Sequence, residues 1–366
     1  MPRAAVLTAR NHPLEILDLA LQPPRMGEVL VRLAASGICH SDRSLQEGTV
    51  PVELPIVLGH EGAGVVEEVG PEVPDLKPGD HVVLSWIPQC GQCYFCTMGQ
   101  PELCATGWVH MIDGTLLDGT TRFSRNGQDI HQAVYCGTFS EQTVVPAMCA
   151  VKIDSDFPLQ LAALIGCGVL TGVGAAMNTA SISPGMSVAI VGCGGVGLNV
   201  VQGARLAGAE RVIAVDRLAD KLALAERFGA TDLVDASGAD PVAQVKDMTS
   251  GRGVDVALEV VGSADTVLAA TSMTRRGGQV VLVGLPSPDV LYPLPIAGIL
   301  HSAQVIQGST YGSSDIRRDI PKLIALYQSG DLLLKELVSG VLTLDQVNDG
   351  LDALDRGDVT RSVIAY

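Results

Sequence analysis

Short alternating apolar stretches dominate the first third of the chain. Val29-Leu30-Val31-Arg32-Leu33 and Gly64-Val65-Val66-Glu67-Glu68-Val69 are punctuated by Gly-Asp and Pro-Gly turns, a rhythm that predicts a partly barrel-like β domain. From about Leu159 the pattern changes to apolar helical runs. Strand and helix then alternate, beginning with Val188-Ala189-Ile190-Val191 and Arg211-Val212-Ile213-Ala214-Val215, which predicts a parallel α/β sheet. Val254-Asp255-Val256-Ala257-Leu258 and Gln279-Val280-Val281-Leu282-Val283 extend that sheet, each close to a glycine at its C-terminal end. After about Tyr311, the helical stretch Ile320 to Gln328 and the closing Ser362-Val363-Ile364 read as a return to the first domain. No internal repeat or low-complexity linker interrupts the pattern.

A length of 366 residues exceeds one ordinary hydrophobic core, so two domains are expected. The net charge is −16 with scattered basic residues, which argues against nucleic acid and anionic membrane as partners. An anionic ligand would need local positive groups, such as a helix N-terminus and one or two arginines. Met1 to Gly27 has no basic stretch followed by an apolar run, and no segment reads as about 20 consecutive apolar residues, so a cytoplasmic chain is expected. In a long chain of this kind the nine cysteines read as metal ligands and buried thiols rather than disulfides.

Gly192-Cys193-Gly194-Gly195-Val196-Gly197 fits G-x-G-x-x-G, with a strand before it and the helical run Leu198 to Ala207 after it. Glycines permit the tight turn and the close approach of backbone to pyrophosphate, whose charge the helix N-terminus receives. Asp216 ends the next strand, where a carboxylate can accept both ribose hydroxyls of an adenosine. A carboxylate there repels a 2′-phosphate, which favours NAD over NADP, although the adjacent Arg217 weakens that preference. Lys221 reads equally as a ribose contact and as a solvated helix residue.

Cys90, Cys93, Cys96 and Cys104 form a Cys-x2-Cys-x2-Cys-x7-Cys run, and thiolates so close in sequence can converge on one tetrahedral Zn²⁺ in a closed, structural site. Cys39, His60 and Cys167 lie outside that run. Cys2His is the composition of a zinc site that keeps its fourth position open. Spacing alone leaves it open whether these three meet, since an isolated His or Cys is more often a core residue.

Together these segments resemble the zinc-containing alcohol dehydrogenase family of the medium-chain dehydrogenase/reductase superfamily. Gly59-His60-Glu61-Gly62-Ala63-Gly64, the four-cysteine lobe, Gly166-Cys167-Gly168-Val169-Leu170-Thr171-Gly172, the nucleotide fingerprint and the terminal Arg361-Ser362-Val363 all follow the family's order. The resemblance implies an α/β fold with a GroES-like β-rich catalytic domain over residues 1–168, carrying a structural zinc lobe at about 88–106. An NAD-binding Rossmann domain with a doubly wound parallel sheet would cover 169–310, and 311–366 would return to the catalytic domain.

Carried onto matching positions, the resemblance implies a catalytic zinc on Cys39, His60 and Cys167, with Asp42 orienting His60 and Glu61 assisting ligand exchange. Ser41 matches the hydroxyl that takes the alcohol proton. His40 and Arg361 match pyrophosphate contacts, and Thr171 and Val196 match residues near the nicotinamide. Ser44 stands where some relatives hold a histidine that completes the proton relay, so ribose hydroxyls and water, with His40, would have to carry the proton out.

Val50, Trp86 and Leu285 are expected to line a substrate pocket suited to an apolar primary alcohol or aldehyde. Relatives acting on the glutathione adduct of formaldehyde carry an arginine just after the last lobe cysteine, whereas Cys104-Ala105-Thr106-Gly107-Trp108 has none. Bacterial dehydrogenases acting on other thiol adducts of formaldehyde share phrases such as Ser85-Trp86, which keeps that alternative open. A nucleotide-sensing protein that had lost turnover would be expected to lose zinc ligands or Ser41. The resemblance further implies a homodimer joined through the nucleotide domains, with a tetramer as second choice.

Overall fold

The computed structural model describes residues 1–287, 291, 292, 294–357 and 359–366. The chain forms two compact units: Met1–Cys167, Asp315–Gln328 and Leu334–Tyr366 make the first, and Gly168–Ser314 with Ser329–Leu333 the second.

In the first unit a seven-stranded sheet places Ala150–Ile153, His81–Leu84, Glu61–Val69, Glu28–Gly37, Arg361–Ala365 and Val338–Leu342 side by side, with Gln142–Pro146 also joined to Glu28–Gly37. Along the central strand Val29, Val31, Leu33 and Ala35 are buried while Arg32 is exposed, the period of two expected of a pleated strand. The terminal strand pairs Val363 with Gly37. A second sheet of six short strands holds Ile56–Val57 and Gln128–Gln132 at its centre. Ile38, Leu45, Leu58, Phe139, Leu351 and Ile364 form a buried cluster in this unit. Arg122, wholly buried, donates Nε to Glu28 Oε2 at 2.9 Å and Nη2 to Asp118 Oδ2 at 2.8 Å, which ties a loop to the start of the central strand.

Six parallel strands form the sheet of the second unit. Ser187–Val191, Arg211–Asp216, Asp232–Asp235, Val254–Glu259, Thr274–Leu282 and Val305–Gly308 stand in the spatial order third, second, first, fourth, fifth, sixth. This is the doubly wound order, and its switch point lies between Ser187–Val191 and Val254–Glu259. Val188, Ala189, Ile190, Ile213, Ala214 and Ala257 are fully or almost fully buried, as strands covered on both faces require.

The helical run Leu159–Thr179 is apolar and long enough, by composition, to cross a membrane, which the sequence reading did not anticipate. In the fold 83% of its most apolar window is buried inside the protein, so core packing accounts for its composition.

Candidate functional site

Strand register brings the first two candidate ligands together. Gly37 pairs with Glu61, so Cys39, just past the end of one strand, and His60, just before the start of its neighbour, fall at the same edge. A Cβ on Gly37 would lie 2.1 Å from Glu61 Oε2, so only glycine lets the Glu61 side chain occupy that space. Cys39 is the N-cap of the helix His40–Glu47. Cys167 arrives on a π-turn, Ile165–Val169, a local widening of the helix frequently found at functional sites.

The ligand atoms of Cys39, His60, Glu61 and Cys167 all lie within 4.8 Å of one another, and all four residues are buried. Asp42, fully buried, holds two of them: Oδ1 lies 2.9 Å from His60 Nδ1, and Oδ2 accepts the Cys39 backbone N–H at 2.9 Å. His60 Nε2 is buried without a hydrogen-bond partner. An imidazole buried close to two sulfurs, with one ring nitrogen held by a carboxylate, is the donor chemistry of a zinc site.

The charges around this set are strongly coupled. The hydrogen bond with Cys167 draws Cys39 well below the usual thiol range in spite of burial. That bond, together with burial, pushes Cys167 well above it. Burial opposes protonation of His60, but Asp42 outweighs it and raises His60 well above the ordinary imidazole value. Glu61 is pushed up to about 7 by burial, against the pull of Arg361. Arg361 Nη1 donates to Glu61 Oε1 at 3.0 Å and to the Ile38 carbonyl at 3.4 Å.

Of the remaining first-unit candidates, Ser41 is half-buried with Oγ 3.9 Å from Cys39 Sγ, and His40 is exposed at the start of the same helix. Val50 packs against the buried cluster of this unit, and Trp86 is half-buried. Leu285 lies in the second unit and is 59% exposed.

The ligand atoms of Cys90, Cys93, Cys96 and Cys104 likewise lie within 4.8 Å of one another. The Cys90 backbone N–H donates to Cys104 Sγ at 3.4 Å, and that of Cys93 to Cys90 Sγ at 3.3 Å. Burial opposes ionisation of Cys90, yet N–H donors from Gln92 and Cys93 draw it down to about 6. Backbone amides aimed at sulfur stabilise thiolates before any cation arrives. No cysteine is paired in a disulfide.

In the second unit the fingerprint leaves the strand Ser187–Val191 through Gly192, whose φ of +97° lies in the left-handed region. The helix Gly195–Leu206 then starts from Gly194 with no side-chain cap, as a phosphate-receiving terminus requires. Asp216 Oδ2 accepts the Cys193 N–H at 2.7 Å and Oδ1 accepts the Leu218 N–H at 3.0 Å, so the acid is held at the turn with accepting capacity remaining on each oxygen. Cys193 is buried beside the Val215 carbonyl, and burial pushes its thiol up to about 12. Arg217 is exposed and Lys221 half-buried. A Cβ on Gly172 would lie 2.4 Å from the Val196 carbonyl, so a bare backbone at 172 lets the segments bearing Thr171 and Val196 touch.

Two features were not foreseen from the residues. One is the second oxygen of Asp42, which grips Cys39. The other is Glu259, a buried acid at the end of the strand Val254–Glu259 whose Oε1 accepts from Val261, Gly262 and Thr266. The available signal was an apolar strand closing on Glu immediately before Val-Val-Gly.

Comparison with known proteins agrees with this geometry. Residues 25–155 match the alcohol dehydrogenase GroES-like domain family, and residues 195–329 match the zinc-binding dehydrogenase family. A Mycobacterium tuberculosis protein named "Putative alcohol dehydrogenase D" is 43% identical over 99% of both chains. Escherichia coli S-(hydroxymethyl)glutathione dehydrogenase is 41% identical over 100% of this chain and 99% of its own. The crystal structure of benzyl alcohol dehydrogenase from Acinetobacter calcoaceticus matches at TM-score 0.94 and 32% identity, covering 100% of this chain and 99% of that one. With a cysteine lobe, a buried Cys-His-Cys set and a doubly wound sheet in one chain, and relatives of this identity along its whole length, the protein belongs to the zinc-containing alcohol dehydrogenase family of the medium-chain dehydrogenase/reductase superfamily.

Proposed function

We propose that the chain is an NAD-dependent enzyme interconverting primary alcohols and aldehydes. A catalytic zinc would be held by Cys39, His60 and Cys167, and a structural zinc by Cys90, Cys93, Cys96 and Cys104. The observation that carries this reading is the buried Cys39, His60 and Cys167 set, whose ligand atoms all lie within 4.8 Å of one another. Zinc in such a site supplies Lewis acidity toward an alcohol or carbonyl oxygen, and NAD supplies the hydride acceptor.

The chain's own residues do the rest. Asp42 fixes the His60 ring through Nδ1 and braces Cys39 through its backbone N–H. Ser41 Oγ takes the hydroxyl proton. His40, exposed at the start of the same helix, would pass it outward with ribose hydroxyls and water, because Ser44 cannot serve as a histidine would. Glu61, paired with Arg361, would assist ligand exchange, while His40 and Arg361 would contact the pyrophosphate. Asp216 would accept the ribose hydroxyls and disfavour a 2′-phosphate, with Lys221 and Arg217 alongside. Thr171 and Val196 would flank the nicotinamide, and Val50, Trp86 and Leu285 are the residues proposed to favour an apolar substrate.

We also read the chain as a cytoplasmic homodimer joined through the nucleotide units, with a tetramer as second choice. The strand Val305–Gly308 stands at the edge of the parallel sheet. Val305 on that strand is 53% exposed, and Ile296 and Leu300 on the helix Ile296–Ser302 are 67% and 74% exposed; a sheet's terminal strand flanked by exposed apolar side chains is the kind of surface that pairs with another chain.

A panel of alcohols and aldehydes with NAD and NADP, followed by nicotinamide absorbance, tests the assignment. NAD reduction by primary alcohols is expected, and absence of turnover across the panel would sink it. The 41% identity to a dehydrogenase of a glutathione adduct favours one second reading, a thiol-adduct formaldehyde dehydrogenase. Activity on formaldehyde that requires glutathione or another small thiol would select it.

A further inference from the structure

Glu259 ends the fourth strand of the parallel sheet, beside the switch point where open α/β sheets take their ligands. Its side chain is 1% exposed, and Oε1 accepts three hydrogen bonds, from the backbone N–H groups of Val261 and Gly262 and from Thr266 Oγ1, each at 2.8 Å. Oε2 is buried without a partner. The backbone carbonyl of the same residue accepts the N–H groups of Val283 at 2.8 Å and Gly284 at 3.0 Å. One residue thus fastens the turn after the fourth strand to the turn after the fifth.

The turn it holds touches the nucleotide fingerprint. A Cβ on Gly192 would lie 2.5 Å from Val261 Cγ2, and one on Gly284 would lie 2.2 Å from the Gly262 nitrogen. Val261 is nevertheless 51% exposed, so it covers the first glycine of the fingerprint on one side and faces open space on the other.

Two helix N-termini at this sheet edge are treated in opposite ways. The helix Gly195–Leu206 has no side-chain cap. The helix Ala264–Met273 carries a complete capping box in which Ser263 Oγ accepts the Thr266 N–H and Thr266 Oγ1 accepts the Ser263 N–H. Thr266 Oγ1 also donates to Glu259, which brings a carboxylate to the positive end of that helix and makes it unfavourable for a phosphate.

We propose that Glu259 is a positioning residue for the dinucleotide: it clamps the Val261–Gly262 turn against Gly192 and closes the N-terminus of the helix Ala264–Met273, which leaves the pyrophosphate to the helix Gly195–Leu206. The inference rests on the nucleotide-dependent reading given above. It adds a residue that touches no coenzyme atom and acts through the wall of the crevice.

NADH binding to the zinc-loaded protein, measured by fluorescence titration well below the melting temperature, tests it without requiring turnover. E259A should raise the Kd for NADH and the KM for NAD by about tenfold, the loss expected when a pre-organised wall becomes mobile, with kcat at saturating NAD far less affected. E259Q keeps a carbonyl oxygen able to accept the same three donors and should restore Kd to within about threefold of the unaltered protein. T266V, which removes one donor and the cap, should fall between them. A lower melting temperature with unchanged Kd in E259A would overturn the proposal, as would an E259Q as weak as E259A. Should E259A not fold, an unchanged Kd in T266V would overturn it equally. Failure of the unaltered protein to bind NADH would instead overturn the dehydrogenase reading, and this inference with it.

Discussion

Asp42 Oδ1 lies 2.9 Å from His60 Nδ1, and both side chains are sealed from water, at 0% and 3% exposure. The pair holds the imidazole within the set whose ligand atoms lie within 4.8 Å of one another. Such outer partners are worth about 10–100-fold in metal affinity. Asp42→Asn should therefore lose zinc to a chelator at a concentration about 10–100-fold lower than the unaltered protein, as read by metal analysis after dialysis. Equal retention would show that the ring is held by packing alone.

Cys39→Ser is expected to abolish turnover and to remove about one zinc per chain while the lobe metal stays, because the two ligand sets share no residue. The measurement is metal content alongside activity. Full activity with one metal per chain would refute the catalytic assignment.

Asp216→Gly should shift coenzyme preference toward NADP if, as proposed, its carboxylate accepts the ribose hydroxyls and repels a 2′-phosphate. The ratio of kcat/KM for the two coenzymes reads this directly. An unchanged ratio would mean that Asp216 serves only the Cys193 and Leu218 amides.

Acid sensitivity should centre in part on Asp118. Burial pushes its carboxyl up, but hydrogen bonds from Thr120 and Arg122 outweigh burial and hold it well below the usual range. A carboxyl depressed in the folded state stabilises fully above its unfolded value of about 4 and loses that contribution as pH falls through the folded value. The gap in melting temperature between the unaltered protein and Asp118→Asn should be widest near neutral pH and shrink below about pH 4. A gap constant with pH would remove Asp118 from the account.

Much of the fold was legible because each signal was local. The lobe cysteines fall within one short run, and the fingerprint sits between a strand and a helix that the hydrophobic pattern already marks. The Cys39 to His60 meeting depends on a register, Gly37 opposite Glu61, that no local pattern states. Cys167 depends on a π-turn, which leaves no periodic signature. Glu259 was invisible because a single acid at a strand end looks like any solvated terminus, and only the loops folding back over it bury it. The run Leu159–Thr179 misleads in the other direction, since an apolar helix reads alike whether lipid or protein surrounds it.

Gly37 carries a constraint that reaches beyond its own strand. A side chain there would force the Glu61 carboxylate to shift from its place and would disturb its pairing with the buried Arg361 guanidinium, a counter-ion contact made away from water. Attempts to retune the chain by diversifying residues around the proposed metal ligands will therefore have to treat 37, 61 and 361 as one unit.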